Sequence, residues 1–561
     1  MNNPKFICNY RHDGQDYCLV GDKSEFLDAD ISITDSKINL TLKPKGLVAL
    51  LDAKIEFDHK FSDGDKFFAN GYQSWSTSRE YVKTDFQSGV NPIAKGKLLD
   101  IARISSDEWF YKNDRKKGIF HSHCYTYIKN SGNFLFMGSL SERQGYTVFR
   151  ADMNANTLSI IKDVEGVAIS EKYELFDIVI MNGSEDEVFD VYFAAMGLKK
   201  PRIDHLAGYT SWYNYYQKIN QSIILRDLDA MDKVHDDVNV FQIDDGYETF
   251  VGDWLDPNPS KFPDGMKYIA DKIHDKGYMA GIWLAPFNVQ IKSRTYREHP
   301  DWIIRTNTGK PVLGCPGWGG AYTLDIYNPE AREYIKSFFN VILNDWGYDM
   351  VKLDFLYSQC QIPRNNKSRG TIMCEAMEFL RECCGDKLIL GCGAPLGAAF
   401  GYVDACRIGC DVDRVFKGRF YNKIETNSEV ISAQNALNNT IFRRQLNGRA
   451  FLNDPDVFFF RYSNLRFDMN QKILLANINH LCGDVLFVSD NMNEYKEADV
   501  QAVKRIFKKS DWKVLDANYA CDNKKVILKL LDNEGNIKML WFNMDNGFGN
   551  QDTVMRMSTS R

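Results

Sequence analysis

The 561-residue chain lacks the features of a membrane protein or a nucleic-acid-binding protein. No apolar run approaches the ~20 residues that a membrane-spanning helix needs. The net charge of -6 at pH 7 is small for this length, whereas nucleic-acid binding needs a basic surface. The first residues also lack the charged and apolar blocks of a signal peptide. We therefore expect a cytoplasmic protein without membrane or nucleic-acid partners, and the oligomeric state stays open, a homo-oligomer included.

The cysteines show no metal-binding or disulfide pattern. All 13 are scattered, none forms a C-x-x-C pair, and the adjacent Cys383 and Cys384 cannot easily share one metal ion or one disulfide. Nucleotide-binding motifs are missing too, because neither G-x-G-x-x-G nor G-x-x-x-x-G-K follows a predicted strand. The sequence therefore predicts reduced thiols, no metal ion and no cofactor.

The first 198 residues carry the pattern of an all-β domain. Ile31–Thr34 and Ile38–Leu42 alternate apolar and polar residues with period two, as half-exposed strands do. Turn residues such as Asp63-Gly64 and Asn182-Gly183 separate similar short runs. We interpret residues 1–198 as an amino-terminal β-sandwich, in which Ser184 and Glu187 form the capping box of a closing helix.

From residue 199 onward, strands alternate with helices. About eight strand candidates occur within roughly 300 residues, which is typical of a (β/α)8 barrel. They lie at 207–212, 238–243, 278–284, 351–356, 388–392, 405–410, 450–453 and 484–488. The predicted fold is therefore multidomain: a (β/α)8 barrel at 199–509, flanked by the amino-terminal β-sandwich and by a small carboxyl-terminal antiparallel β-domain at 510–561.

Polar and aromatic residues gather at the carboxyl ends of these strands, which meet at one mouth in a barrel. They are Trp212, Asp244, Asp245, Trp283, Lys352, Asp354, Arg407 and Asp411. Lys352 and Asp354 lie two residues apart and share one face of a buried strand, where charge is costly unless it is paired or functional.

This set of side chains favours one chemistry over others. No histidine occurs at these strand ends, which disfavours a metal site. A nearby carboxylate would keep the amine of Lys352 protonated, which disfavours Schiff-base chemistry. Separate carboxylates with cations that hold hydroxyl groups suit glycoside hydrolysis, and the adjacent Asp244 and Asp245 suit vicinal hydroxyls better than catalysis.

The order of the motifs carries a family resemblance. The motifs are FQIDDGY at 241–247, GDW at 252–254, GIWLAP at 281–286, KLDF at 352–355 and RIGCD at 407–411, with NGYQSWS at 70–76 and GCGAPLG at 391–397. With these motifs in this order, the chain resembles the glycoside hydrolase family 36 α-galactosidases over nearly its whole length.

This resemblance implies a retaining double displacement that releases terminal α-linked galactose. Asp354 matches the nucleophile and Asp411 the general acid/base, whose carboxyls then lie roughly 5–5.5 Å apart. The resemblance also implies substrate-binding residues: Asp244, Asp245, Lys352, Arg407, Trp75, Trp212, Trp254, Trp283 and Cys392. Trp75 would reach the barrel mouth from the amino-terminal domain, and Cys392 lies near the expected sugar 2-position.

Other functions stay open at this point. The same scaffold can serve an α-N-acetylgalactosaminidase, depending on the space beside the sugar 2-position. A galactosyl transferase that excludes water is a further alternative, and a catalytically inactive galactoside-binding protein is one from a different class. The sequence does not identify the aglycone, nor a purpose for the loop Gly314–Gly320, which we expect near the leaving-group side.

Overall fold

The computed structural model describes residues 2–89, 103–418, 431–520 and 524–550. The chain forms two compact units. The first consists of Met1–Lys199 together with Tyr357–Phe379 and Pro395–Phe400, and the second of Lys200–Leu356, Leu380–Ala394 and Gly401–Arg561. Residues 90–102 of the predicted amino-terminal domain and residues 551–561 of the predicted carboxyl-terminal domain lie outside the described residues.

Antiparallel strands, one α-helix and a short 3-10 helix at Asp107–Trp109 occur in the described part of residues 2–199. The strands are β1 (Asn2–His12), β2 (Gln15–Val20), β3 (Leu27–Ile33), β4 (Lys37–Pro44), β5 (Val48–Asp58), β6 (Lys66–Ala69), β7 (Arg79–Tyr81), β8 (Ile119–His123), β9 (Tyr125–Asn130), β10 (Asn133–Ser139), β11 (Thr147–Asp152), β12 (Thr157–Lys162), β13 (Ala168–Ile169) and β14 (Tyr173–Gly183), followed by the helix α1 (Glu185–Ala195).

Two sheets share the core of this unit. Among its described residues, one sheet has the order β2-β1-β5-β12-β11-β8 with β13 on β5, and the other β3-β4-β14-β10-β9-β6-β7. Apolar residues that alternate along β1, β4 and β5 are buried in a single cluster with residues of both sheets. The two sheets fit the predicted amino-terminal β-domain.

Helix α1 begins where the sequence predicts it. The Glu187 carboxylate accepts hydrogen bonds from the backbone N–H of Ser184 at 2.9 Å and from its hydroxyl at 2.8 Å. The capping box satisfies donors that the first turn of a helix otherwise leaves free.

Strands and helices then alternate through the second half of the chain. The strands are β15 (Leu206–Thr210), β16 (Val240–Ile243), β17 (Met279–Leu284), β18 (Asn288–Gln290), β19 (Leu313–Cys315), β20 (Ala321–Thr323), β21 (Met350–Leu353), β22 (Leu388–Gly391), β23 (Ala405–Arg407), β24 (Leu452–Asp454), β25 (Val457–Phe458) and β26 (Val485–Val488). The helices are α2 (Trp212–Tyr215), α3 (Gln221–Ala230), α4 (Gly265–Asp275), α5 (Arg294–Glu298), α6 (Pro329–Asn340), α7 (Arg369–Cys384), α8 (Leu396–Ala399), α9 (Ala433–Phe442), α10 (Met469–Cys482) and α11 (Glu497–Ile506).

A curled parallel sheet lies at the centre of the second unit. Its order among the described residues is β24-β23-β22-β21-β17-β16-β15-β26-β25, with every pairing parallel. β24 pairs with β23 and β25 pairs with β26, while Pro455 and Asp456 separate β24 from β25. The arrangement fits a (β/α)8 barrel whose seventh strand is interrupted at these two residues.

Apolar stripes explain why the barrel helices form. Met266, Ile269, Ala270 and Ile273 on α4 are all buried, and Gly277 ends this segment with a φ of +81°, where a side chain would be strained. Helix α6 begins at Pro329, and the side chain of the preceding Asn328 caps it by accepting a hydrogen bond from the backbone N–H of Ala331 at 3.1 Å. Local sequence therefore accounts for where these two helices begin or end.

A small antiparallel sheet follows the barrel. Among the described residues after 510, β27 (Lys513–Tyr519), β28 (Lys525–Leu531) and β29 (Ile537–Asn543) pair in that order. Among all described residues, no helix has both the length and the apolar character that a membrane crossing requires.

Candidate active site

Asp354 directly follows β21, and its side chain is held firmly. Its backbone N–H donates to the Leu284 carbonyl at 2.8 Å, and the indole N–H of Trp283 donates to its Oδ2 at 3.1 Å. The next residue, Phe355, has a φ of +55°, which is rare for a bulky side chain, and its N–H donates to Asp354 Oδ1 at 2.8 Å. This sharp turn fixes the carboxyl at the carboxyl end of the strand.

The surroundings raise the pKa of Asp354 above its ordinary value. Burial is the main cause, since only 8% of the residue is exposed, and the negative charge of Asp411 adds to it. The ammonium of Lys352 and hydrogen bonds from Trp283 and Cys392 act in the opposite direction. These three interactions therefore offset part of the effect of burial on the carboxyl.

Lys352 pairs with Asp244 inside the barrel. Its ammonium lies 2.8 Å from Asp244 Oδ2, and both side chains are buried. Burial acts to lower the pKa of Lys352, but the attraction of Asp244, with smaller contributions from Cys392 and Asp354, raises it above its ordinary value. Asp244 also accepts from Gln242 Nε2 at 2.9 Å, and its own N–H donates to the Ser211 hydroxyl at 2.9 Å. Lys352 therefore stays charged in the barrel interior.

Asp245 is surrounded by hydrogen-bond donors. Gln217 Nε2 donates to it at 2.9 Å and the Trp318 indole N–H at 2.9 Å. Burial raises the pKa of both Asp245 and Glu248, and the pKa of Glu248 rises further because it hydrogen-bonds to Asp245. We interpret Glu248 as the protonated partner that donates to the Asp245 carboxylate.

Arg407 joins three carboxylates. Its guanidinium lies 3.0 Å from Asp411, 3.2 Å from Asp454 and 2.8 Å from Asp456. Asp454 and Asp456 are buried and the Tyr213 hydroxyl donates to Asp456, whereas the Asp411 side chain is 36% exposed. Arg407 therefore anchors an accessible carboxyl to the barrel wall.

The predicted indoles occupy different environments. The Trp283 ring lies 5.8 Å from the Trp254 ring, and Trp254 is fully buried behind it. The strand before Trp212 ends at Thr210, two residues earlier than predicted, and Trp212 opens α2 with its ring 5.0 Å from Tyr216. Trp75 belongs to the first unit, in the segment between β6 and β7, and its ring lies 5.7 Å from Tyr357. Its role as a substrate contact stays a prediction.

Cys392 lies directly after β22. Its N–H donates to the Leu353 carbonyl at 2.8 Å, and its thiol hydrogen-bonds to Asp354. Burial raises the pKa of this thiol, and the charge of Asp354 raises it further. The thiol therefore acts as a neutral donor beside the predicted nucleophile.

Several partners of the predicted residues were missed from sequence. Trp318 lies in the loop of undetermined purpose, between β19 and β20, and its carbonyl accepts from Gln290 Nε2 at 2.7 Å. Gln217 and Glu248 hydrogen-bond to Asp245, but no spacing pattern in the sequence predicts these contacts. Asp454 and Asp456 follow a strand end in the predicted barrel, which is the one signal that pointed to them.

Metal-ligand geometry occurs elsewhere in the protein. Within the described residues, the group of His, Cys, Asp and Glu side chains that could hold a metal ion is Asp107, His121 and His123. These three residues belong to the first unit. The predicted absence of a metal at the barrel strand ends stays a prediction.

Sequence comparisons relate this chain to known glycosidases. Residues 209–377 match the Melibiase family model. The chain is 36% identical over 139 residues to an A type blood α-D-galactosamine galactosaminidase of Flavonifractor plautii, which covers 23% of this chain and 13% of that protein. It is 28% identical over 151 residues to an α-galactosidase of Lactobacillus acidophilus, covering 26% of this chain and 20% of that protein. The matched segments thus span a fifth or less of these relatives.

Structure comparisons extend the match along the chain. An α-galactosidase from Thermus thermophilus, in complex with p-nitrophenyl α-D-galactopyranoside, superposes with a TM-score of 0.69 and 25% identity over 89% of this chain and 98% of that chain. An α-galactosidase from Lactobacillus brevis, at 13% identity and a TM-score of 0.63 over 97% and 76% of the two chains, shares the fold. The matches confirm the resemblance that the motifs predict, since this chain is similar to glycoside hydrolase family 36 α-galactosidases in sequence and in fold.

Proposed function

We propose that this protein is a retaining, exo-acting α-galactosidase that releases terminal α-linked galactose from oligosaccharides or glycoconjugates. The observation that carries the proposal is the Asp354 carboxyl, buried at the end of β21 and held by the Trp283 indole at 3.1 Å. Lys352, Trp283 and Cys392 favour the ionised form of this carboxyl, which is the form that a nucleophile needs. The Thermus thermophilus relative, which binds p-nitrophenyl α-D-galactopyranoside, supports the substrate class.

The first step transfers the sugar to the protein. The Asp354 carboxylate attacks the anomeric carbon, the bond from that carbon to the leaving oxygen breaks, and the Asp411 carboxyl donates its proton to that oxygen. The side chain of Asp411 is 36% exposed, which lets it reach a substrate that approaches from solvent. The product of this step is a galactosyl ester of Asp354 and a free alcohol.

The second step releases the sugar. The Asp411 carboxylate removes a proton from a water molecule, whose oxygen attacks the anomeric carbon and expels Asp354. Two inversions give net retention, which requires the two carboxyls to lie about 5–5.5 Å apart. The charge of Asp411 raises the pKa of Asp354, which is consistent with such closeness.

The carboxylates of Asp244 and Asp245 are suited to accept hydrogen bonds from sugar hydroxyls. Asp244 and Asp245 are held by Lys352 and by Trp318, so both present fixed acceptor oxygens. A vicinal diol donates naturally to two neighbouring carboxylates. We infer that these two residues bind the galactose hydroxyls farthest from the anomeric carbon.

An α-N-acetylgalactosaminidase is the second candidate. It is supported by the 36% identity to the Flavonifractor plautii galactosaminidase, whose substrate carries nitrogen on the sugar. The two functions differ in the group at the sugar 2-position, which we place near Cys392. The Thermus thermophilus α-galactosidase, which matches 89% of this chain, makes galactose the first choice.

Initial rates on two substrates test the proposal. The purified protein is assayed on 4-nitrophenyl α-D-galactopyranoside and on its 2-acetamido counterpart from pH 4 to 8. We expect a higher kcat/KM on the galactoside, and proton NMR should detect the α-anomer of galactose first. Preference for the acetamido substrate would establish the second candidate. Binding of galactose without turnover of either substrate would indicate an inactive galactoside-binding protein.

A further inference from the structure

Three potential metal ligands converge in the first unit. The carboxylate of Asp107 and the rings of His121 and His123 offer one ligand atom each, and these atoms all lie within 4.8 Å of one another. The Nε2 of His123 lies 3.1 Å from Asp107 Oδ2, and the Nε2 of His121 hydrogen-bonds to the same oxygen. Two imidazoles therefore point at one carboxylate oxygen from different directions, with ring planes 88° apart.

The backbone holds these three side chains before any ion arrives. His121 and His123 lie two residues apart on β8, so their side chains project from the same face. β8 pairs with β11, and the Gln87 side chain exchanges hydrogen bonds of 2.7 and 3.0 Å with the backbone of His121. Asp107 is the first residue of the short 3-10 helix Asp107–Trp109. The Asp107 carbonyl accepts a hydrogen bond of 2.7 Å from the Tyr111 N–H.

Aromatic side chains fix the imidazole rings. The Tyr111 ring lies 4.8 Å from the His121 ring, while the Phe110 and Tyr72 rings lie 5.9 and 5.7 Å from the His123 ring. The two histidine side chains are only 6% and 4% exposed, and Asp107 is 17% exposed. The open side of Asp107 gives an ion and its water ligands a path from solvent, and the aromatic shell excludes water elsewhere.

We propose that Asp107, His121 and His123 bind a divalent first-row transition-metal ion such as Zn²⁺, which ties the turn at 107–109 to β8. Two imidazoles and one carboxylate are ligands that such ions favour, and three protein ligands leave a position for water. The proposal is independent of the barrel chemistry. The ion has a structural role in it, because the turn also carries Trp109, whose indole donates to the Gln361 carbonyl at 2.8 Å.

The site lacks one feature of high-affinity metal centres. A metal-bound histidine usually donates its second ring N–H to a carboxylate or carbonyl. The Nδ1 of His123 is buried and has no hydrogen-bond partner within the described residues. We therefore expect weaker binding than at a structural zinc site with four protein ligands.

Metal analysis of the full-length protein tests the proposal. The protein is stripped with a chelator, incubated with Zn²⁺ alone, desalted and analysed by plasma mass spectrometry. We expect about one Zn²⁺ per chain, and less than about a tenth of that in His121→Ala and in His123→Ala. The control is His12→Ala, since His12 pairs with Asp13 at 3.5 Å without a third ligand. Equal retention of Zn²⁺ in all four proteins would overturn the site.

A second measurement needs no variant and therefore does not depend on whether the variants fold. Stripped wild-type protein is titrated with Co²⁺, whose visible absorption strengthens on leaving octahedral water for a site of lower coordination. We expect a saturable band that Zn²⁺ displaces, together with a thermal midpoint that rises with Zn²⁺. The absence of both effects in the wild-type protein would rule the ion out, whatever its galactosidase activity.

Discussion

The indole N–H of Trp318 donates a hydrogen bond of 2.9 Å to the Asp245 carboxylate. Trp318 lies between two strands of a small antiparallel sheet and has a φ of +58°, a strained conformation for a bulky residue. Its ring packs 5.9 Å from Trp283 and 5.1 Å from Phe355. The loop thus contacts the neighbours of Asp354 and also orients an acidic residue that we assign to sugar binding.

Replacing Trp318 tests this orientation. Trp318→Phe keeps an aromatic ring and removes the N–H, so Asp245 loses one fixed donor. A hydrogen bond to a charged group contributes about 1.5–3 kcal/mol, so kcat/KM on 4-nitrophenyl α-D-galactopyranoside should fall on the order of 10-fold to 100-fold. The matched control is Trp302→Phe, which removes an indole N–H bonded to Glu330 at 3.0 Å. Equal losses in both variants would contradict a specific role for Trp318.

The two predicted catalytic carboxyls should respond differently to the leaving group. Asp354→Ala should abolish turnover of every substrate and leave the thermal midpoint near that of the wild type. Asp411→Ala should slow a trisaccharide with a sugar leaving group by about 10²–10⁴-fold, and slow an aryl galactoside much less, because nitrophenolate leaves without a proton. Equal slowing of the two substrates in Asp411→Ala would show that Asp411 is not the acid.

The acid limb of the pH profile should depend on Lys352. Burial raises the pKa of Asp354 and Asp411 raises it further, whereas the Lys352 ammonium lowers it. A nucleophile must be ionised, so kcat/KM falls as the pH falls through this pKa. Lys352→Met removes a lowering influence and should move the acid limb upward by about one pH unit or more. Lys352→Arg keeps the charge, so its acid limb should stay near that of the wild type; an equal shift would argue against electrostatics.

Asp404 should stabilise the second unit in a pH-dependent way. Arg202 lies 2.7 Å from it and Arg381 2.8 Å. Burial alone would raise the pKa of Asp404, but these cations and the Ile389 N–H outweigh it, so the pKa is lowered. A lowered pKa contributes stability above the unfolded value of about 3.9, and this stability disappears as the pH falls through the folded value.

Urea denaturation checks this contribution. Asp404→Ala should lower the unfolding free energy by about 2–3 kcal/mol at pH 7, since charged hydrogen bonds are lost and a buried N–H is left unpaired. The deficit should shrink as the pH falls below about 4. Asp386→Ala removes an exposed carboxylate 3.7 Å from the same Arg202 and serves as control, with an expected loss within about 0.5 kcal/mol. A deficit for Asp404→Ala that does not change with pH would contradict the ionic explanation.

Much of the barrel was predictable from local sequence, because each strand or helix has a pattern that is recognisable without knowledge of its partners. The buried run before Asp354 needed only its apolar residues and its two charges, and the stripe on α4 needed only its spacing. Partners from distant positions left no such signal. Trp318 lies 73 residues from Asp245, and a loop has no periodicity that reveals where its side chains point.

Burial of individual aromatic residues was equally unreadable. Trp254 and Trp283 each lie in a motif that carries the family resemblance, and the sequence predicted that both line the sugar pocket. In the structure, Trp254 is fully buried behind Trp283, and its indole N–H has no hydrogen-bond partner within the described residues. Depth in a barrel depends on packing between strands that lie far apart in the chain.

The break in the seventh strand has a consequence for engineering. Pro455 cannot donate a ladder hydrogen bond, and Asp456 has a φ of +75°. This gap lets Asp454 and Asp456 both grasp the Arg407 guanidinium, which in turn holds Asp411. A design that made this strand continuous to raise thermal stability would move Asp454 or Asp456 away from Arg407, which would then hold Asp411, the predicted proton donor, less firmly. At this point of the barrel wall, we therefore expect a gain in thermal stability to lower the proposed activity.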